Sequence, residues 1–216
     1  MSVSLVSYSK PDGNAQVGLE DLVAYCARVS NPANQNNTET NPRLLKYLIN
    51  NHHWSPFEMV SICLEINTTR DIARQILRHR SFSFQEFSQR YAVADLGFVL
   101  REARLQDSKN RQNSIETENA ELEETWENVQ ELLGEQAAGA YKWALDHGIA
   151  KEQARAVLPE GMTKSRLYMN GTLRSWIHYI QLRSGNGTQK EHRDVARACA
   201  AAIEPIFPMI KEFLSE

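Results

Sequence analysis

Residues 60–80, VSICLEINTTRDIARQILRHR, pass from one hydrophobic period to another without a glycine or proline between them. Val60, Ile62, Leu64 and Ile66 alternate with Ser61, Cys63 and Glu65, as a strand with one buried face requires. From Thr68 or Thr69, either of which is a suitable N-cap, Ile72, Ala73, Ile76 and Leu77 recur at helical spacing. A strand followed at once by a helix is therefore expected. The other side of that helix carries Arg70, Arg74 and Arg78 as successive i, i+4 neighbours, with Gln75 beside Arg78. Stacked like charges repel by a few tenths of a kcal/mol per pair, so a compensating acid is expected nearby.

The same reasoning extends over the 216 residues. Ser2–Tyr8 alternates and predicts a strand, Pro11-Asp12-Gly13 a turn, and Leu19, Leu22, Val23, Cys26 and Val29 a helix reaching about Val29. Ser30–Asn41 reads as a loop and a second helix begins near Pro42. Residues 115–146 predict the longest helix, with Asn113 as cap, Glu116 closing a capping box, and a stripe of Ile115, Leu122, Trp126, Val129, Leu133, Ala137, Ala140 and Ala144. A short helix at 151–157, a strand at Ser165–Met169, and helices at about 172–183 and 189–214, the latter bent at Pro205 and Pro208, complete the order. One α+β domain over 1–216, a mixed or antiparallel sheet covered by helices, is the expected architecture.

No apolar run approaches the roughly 20 residues of a membrane span, and MSVSLVSYSKPDG lacks a signal-peptide pattern, which suggests a cytoplasmic protein without membrane contacts. Cys26, Cys63 and Cys199 are odd in number, far apart and without CxxC spacing, so neither disulfides nor zinc are indicated and no metal is expected. A net charge of −3 argues against a general nucleic-acid binder. It conceals an asymmetry. Residues 70–104 hold seven arginines against four acids, 151–193 eight cations against three acids, and 116–135 eight glutamates, so two basic segments can converge on a small anion while the acidic one faces water.

For Arg78-His79-Arg80 alone, cations favoured by a helix C-terminus are as good an account as a ligand site. That account omits Ser83, Glu86, Ser88 and Arg90, which follow at once. In an extended chain Glu86, Ser88 and Arg90 project to one side and offer an acceptor, a hydroxyl and a guanidinium fork, a set suited to a phosphorylated polar heterocycle. A competing reading makes Phe82, Phe84 and Phe87 a base-stacking platform for single-stranded nucleic acid. Arg174 and His178 share one face of TLRSWIHYIQLR, with Trp176, Ile177 and Ile180 packing inward. Neither GxGxxG, nor GxxxxGK followed by Ser or Thr, nor GxSxG occurs.

Arg78-His79-Arg80 followed after SFSFQEF by Ser88 resembles the signature of the flavin-dependent thymidylate synthases (ThyX). ARVS at 27–30, HHWSPFEM at 52–59, FSQRY at 87–91, ARAVLP at 154–159 and LRSWIHYIQLR at 173–183 extend the likeness in the family's order. The resemblance implies a ThyX-like fold and conversion of dUMP to dTMP, with the methylene from 5,10-methylenetetrahydrofolate and reducing equivalents from NADPH through tightly bound FAD. It also implies a homotetramer with sites at subunit junctions. By matched position, Ser30, His53, Ser55, Arg78, His79, Arg80, Glu86, Thr172, Leu173, Arg174 and His178 would be flavin contacts. Gln75, Ile76, Leu77, Arg78, Glu86, Phe87, Ser88, Gln89, Arg90, Arg155 and Arg183 would form the nucleotide site, with Arg183 catalytic through uracil N3. No cysteine is expected near the basic cluster, so the resemblance assigns the reductive work to the flavin.

Overall fold

Alternation at 60–66 becomes strand β2 (Ser61–Thr69), whose Ile62, Leu64 and Ile66 are wholly buried. The computed structural model describes residues 1–12, 18–95 and 97–215. Gly13 of the expected turn at Pro11-Asp12-Gly13 lies outside the described residues. Strand β2 pairs antiparallel with β1 (Ser2–Tyr8) on one side and with β6 (Lys164–Thr172) on the other; β3 (Phe82–Glu86) adds to the far side of β6. The order is β1-β2-β6-β3, antiparallel throughout. Helices α1 (Leu19–Ala27), α2 (Asn41–Asn50), α3 (Arg70–Ile76), α6 (Leu173–Arg183) and α7 (Lys190–Ile203) send their apolar stripes into one core with the buried side of the sheet. The chain is α+β, as expected.

Two junctions set this arrangement. Strand β2 passes into α3 at Thr69/Arg70, and β6 into α6 at Thr172/Leu173, with no loop in either case. The first residue of each helix still donates across the sheet, Arg70 N to the Thr163 carbonyl at 3.0 Å and Leu173 N to the Val60 carbonyl at 3.0 Å. Thr172 caps α6 by accepting from Ser175 N at 3.3 Å. Trp176 is wholly buried in the core with its indole N–H donated to the Ile62 carbonyl at 3.0 Å. Phe82, the first residue of β3, packs edge-on against Trp176 (4.9 Å between centroids) and Tyr179 (5.9 Å).

Several boundaries differ from those expected. The longest helix, α4 (Ala120–Asp146), begins after Asn119, whose side chain accepts from Leu122 N at 3.1 Å. Asn113 and Glu116 are not its cap, because Ser114–Glu116 forms β5, paired with β4 (Arg104–Gln106). Ile115 therefore leaves the helical stripe. In the first half of α4, Leu122, Trp126, Val129 and Leu133 are exposed, whereas Ala137, Tyr141 and Ala144 are buried. The expected helix at 151–157 is α5 (Lys151–Ala154) continued as a 3-10 turn, Arg155–Val157. The last long helix ends at Ile203, and Pro208–Phe213 is a separate 3-10 segment. Helix α1 stops at Ala27.

Gly171 of β6 faces Phe82 across the β3–β6 pair, and a Cβ there would stand 2.4 Å from Phe82 Cδ1. Gly171→Ala should therefore displace the Phe82 ring and destabilise the protein by about 1–3 kcal/mol, measured by urea denaturation. A midpoint within error of the parent would show that the ring is not fixed by that glycine.

Candidate active site

Helices α3 and α6 leave opposite ends of neighbouring antiparallel strands and cross the same buried face, so their C-terminal ends meet. At the meeting point Arg183 Nε–H donates to His79 Nε2 at 3.0 Å. The ring of His79 packs edge-on against Tyr179, with centroids 5.0 Å apart. Gln75 on α3 donates through Nε2 to Gln189 Oε1 at 2.7 Å and faces His192 Nδ1 with its oxygen at 3.2 Å. His192 in turn sits 3.2 Å from the Tyr179 hydroxyl and is completely buried. Gln75, His79 and Arg183, three residues expected in the site, thus form one cluster. Arg78 and Arg80 flank His79, are exposed, and make no ion pair among the described residues.

The repulsion within the arginine row is answered by Glu86 at the end of β3. Its largely buried carboxylate lies 3.1 Å from Arg74 Nη1 and 3.8 Å from Arg70 Nη1, and accepts from Ser165 Oγ at 2.8 Å. Arg74 also reaches Glu160 at 3.3 Å. Arg78 leaves the row, because α3 ends at Ile76. Glu86, Ser88 and Arg90 do not share one extended face. Strand β3 stops at Glu86, the Ser88 carbonyl accepts from Tyr91 N (3.1 Å) and Ala92 N (3.0 Å) in a turn, and Arg90 pairs with Glu152 at 3.6 Å. Gln89 is buried in that turn, and Phe87 N bonds the Arg166 carbonyl at 2.8 Å. Arg155 follows α5 and donates to the Glu152 carbonyl at 3.3 Å, close to where Arg90 pairs.

A third group gathers at the start of α6. Arg174 is ion-paired with Glu58 of the 3-10 turn that begins at Ser55, and Ser175 Oγ bonds the Ser81 carbonyl at 3.2 Å. Trp54 lies edge-on to His178 at 4.7 Å. His53 contacts the Tyr47 ring at 6.1 Å, and Tyr47 with Ser30 and Arg43 lines a hollow of about 500 Å³. Ile76 and Leu173 have wholly buried side chains and Leu77 closes α3, so a ligand would meet Ile76 and Leu173 only through their backbone. Phe82 is buried and Phe84 packs against the core, which removes the aromatic platform that a nucleic-acid reading requires.

Burial, reinforced by the neighbouring guanidinium groups, lowers the proton affinity of the imidazoles in this cluster. Burial, with Arg183 and Arg78, pushes His79 down to about 4. Burial, with Arg183, His79 and Arg78, pushes His192 to about 3. Burial and Arg174 lower His178. Cys199 is nearer than expected, close enough to raise the Tyr179 hydroxyl further after burial has done so. Burial raises the Cys199 thiol too, so it stays protonated inside the core and is no nucleophile. Tyr179, Gln189, Glu191, His192, Glu58 and Ser165 join the site through packing and, His192 on the apolar stripe of α7 apart, carry no local sequence signal of that role.

The family model described as "Thymidylate synthase complementing protein" matches residues 14–209. A probable flavin-dependent thymidylate synthase of Paramecium bursaria Chlorella virus 1 is 50% identical over 214 residues, 99% of each chain. The flavin-dependent thymidylate synthase of Synechocystis sp. is 47% identical over 97% of each chain. The fold superposes on the UMP/dUMP methylase PolB of Streptomyces cacaoi, solved with 5-Br dUMP, with TM-score 0.83 at 27% identity, covering 98% of this chain and 93% of that one. Fold, motifs and these likenesses agree, and the chain belongs to the flavin-dependent thymidylate synthase family.

Histidines in the unfolded chain bind protons near pH 6.5, but folded His79 and His192 do so only near 4 and 3. The unfolded state therefore takes up more protons as pH falls; the stability these groups contribute is complete above about 6.5 and is lost progressively toward about 4 for His79 and about 3 for His192. Melting temperature should fall between about pH 7 and about pH 5, and replacing both histidines with Gln should flatten that fall. An unchanged slope in the double variant would assign the acid sensitivity to other groups.

Proposed function

We propose that the chain converts dUMP to dTMP in the cytoplasm, with FAD as cofactor and 5,10-methylenetetrahydrofolate and NADPH as co-substrates, as a homotetramer whose sites lie at subunit junctions. The observation that carries this reading is the convergence of Gln75, His79 and Arg183 from α3 and α6, beside the exposed Arg78 and Arg80. The exposed guanidinium groups of Arg78 and Arg80, the Arg174 fork and the Ser55 hydroxyl form a donor set that fits the diphosphate of FAD. His53, His79, His178 and Ser30 would complete that contact surface, with Thr172 and Leu173 contributing backbone. FAD, when bound, supplies hydride chemistry that no side chain has.

Nucleotide binding falls to the other members. Arg90, Arg155 and the Ser88 hydroxyl suit a 5′-phosphate, with Gln75, Gln89 and Phe87 around the nucleoside. Arg183 is anchored through Nε by neutral His79, which leaves its two Nη groups for a ligand. A guanidinium fixed in that way stabilises negative charge on the uracil ring at N3 and so makes C5 a better nucleophile. Glu86 acts by holding Arg70 and Arg74 in place. Because Cys199 is a buried, protonated thiol, attack on uracil C6 by that cysteine plays no part. Exposed Leu122, Trp126, Val129 and Leu133 on α4 give an assembly apolar surface to cover.

Purified protein should be yellow, bleach with NADPH under anaerobic conditions, and regain colour only when dUMP and methylenetetrahydrofolate are both added. In the same assay Arg183→Lys should still bind dUMP but lose about 10²-fold or more in turnover. Recolouring without dUMP, or near-normal turnover in Arg183→Lys, would contradict the assignment.

A further inference from the structure

The hydrogen bonds behind Gln75 run in one direction from end to end. Glu191 accepts Arg104 Nη2 at 2.6 Å and faces Arg101 Nη1 at 3.4 Å. Burial opposes its ionisation, but its backbone amide, Gln189, Arg101 and Arg104 outweigh burial and hold the carboxyl below its usual range. An ionised carboxylate only accepts, so Gln189 Nε2 donates to it at 2.9 Å. That leaves the Gln189 oxygen to accept from Gln75 Nε2 at 2.7 Å. Gln75 Oε1 must then receive a proton donor, which makes His192 Nδ1, at 3.2 Å, the protonated ring nitrogen. A neutral imidazole has one N–H, so His192 Nε2 accepts from the Tyr179 hydroxyl at 3.2 Å. Tyr179 is deeply buried and keeps its proton. Reversing either amide or the tautomer would set two donors or two acceptors face to face.

His192 occupies the apolar stripe of α7, with Val195, Ala196, Cys199 and Ile203, where an aliphatic side chain would pack without needing partners. Its two hydrogen bonds are what the imidazole adds. We propose that His192 is a positioning residue, which through Nδ1–H pins the Gln75 oxygen inward so that the side chain offers a bound nucleotide its remaining N–H donor. That N–H engages no protein acceptor among the described residues. The inference rests on the proposed reaction only in taking dUMP as the nucleotide. Polarity is imposed from Glu191, three links from His192, and secured at the far end by Tyr179.

Nitrogen-15 histidine labelling of the flavin-loaded protein, read by magic-angle-spinning NMR and assigned by loss of a signal in His192→Gln, should find His192 neutral with Nδ1 protonated and Nε2 bare. An Nε2–H tautomer or an imidazolium would overturn the proposal. Tyr179→Phe and His192→Leu should each raise the dUMP dissociation constant about three- to tenfold at unchanged flavin content. His192→Gln, whose amide can donate to Gln75 and accept from Tyr179, should bring it back to within about twofold of the parent. If His192→Leu fails to fold, the His192 tautomer and Tyr179→Phe decide. Parent protein that does not bind dUMP overturns this inference together with the assigned reaction, whereas dUMP binding indifferent to Tyr179→Phe overturns the inference alone.

Discussion

Two helices start where two paired strands end, and the rest of the site follows from that constraint. Thr69 of β2 lies opposite Lys164 of β6, and Thr172 of β6 opposite Ser61 of β2, so α3 and α6 depart from opposite ends of the same antiparallel pair. Neither has a loop in which to change course, and each buries its apolar stripe on the same face of the sheet. Their polar ends are thereby brought side by side, which is why residues about a hundred positions apart, His79 and Arg183, are hydrogen-bonded. A few extra residues at either junction would free a helix to slide and would uncouple that pair without touching either side chain.

Concentrating so much positive charge needs compensation of two kinds. Along α3 it is ionic, with Glu86 and Glu160 taking up Arg70 and Arg74, while Arg78 and Arg80, beyond the helix end, have no ion pair among the described residues. Beneath the cluster it is the absence of a proton, since burial and the neighbouring guanidinium groups keep His79 and His192 neutral. A neutral ring can accept from Arg183 where an imidazolium could not. The same electrostatics thus underlies both the loss of stability expected in acid and the acceptor that holds Arg183 through Nε.

The sequence makes some of this legible and hides the rest for identifiable reasons. Periodicity finds β2, α1, α3 and α6, because each has a fully buried face, and β1 from the alternation of Val3 and Leu5, which are only half-buried against the core. It places the start of α4 too early: Asn113 and Glu116 have the spacing of a capping box, but Ser114–Glu116 pairs with Arg104–Gln106, a contact that no local pattern encodes. Strand β3 is short and ends at a turn, so the one-sided display imagined for Glu86, Ser88 and Arg90 does not form. The demand for a counter-charge to the arginine row is readable from α3 alone, whereas its source, Glu86, depends on sheet order. His192 left a faint signal, a titratable residue on an otherwise apolar helical stripe, and its partners become evident only once α3, α6 and α7 are packed together.

The central claim is that the α3–α6 meeting point is a pyrimidine nucleotide site built around Arg183. A crystal structure of the flavin-loaded assembly soaked with dUMP tests it most directly. The account predicts Arg183 Nη and Gln75 Nε2 within hydrogen-bonding distance of the nucleotide, with the Arg183–His79 bond retained. A well-ordered nucleotide bound elsewhere, with Arg183 touching neither it nor the flavin, would contradict it.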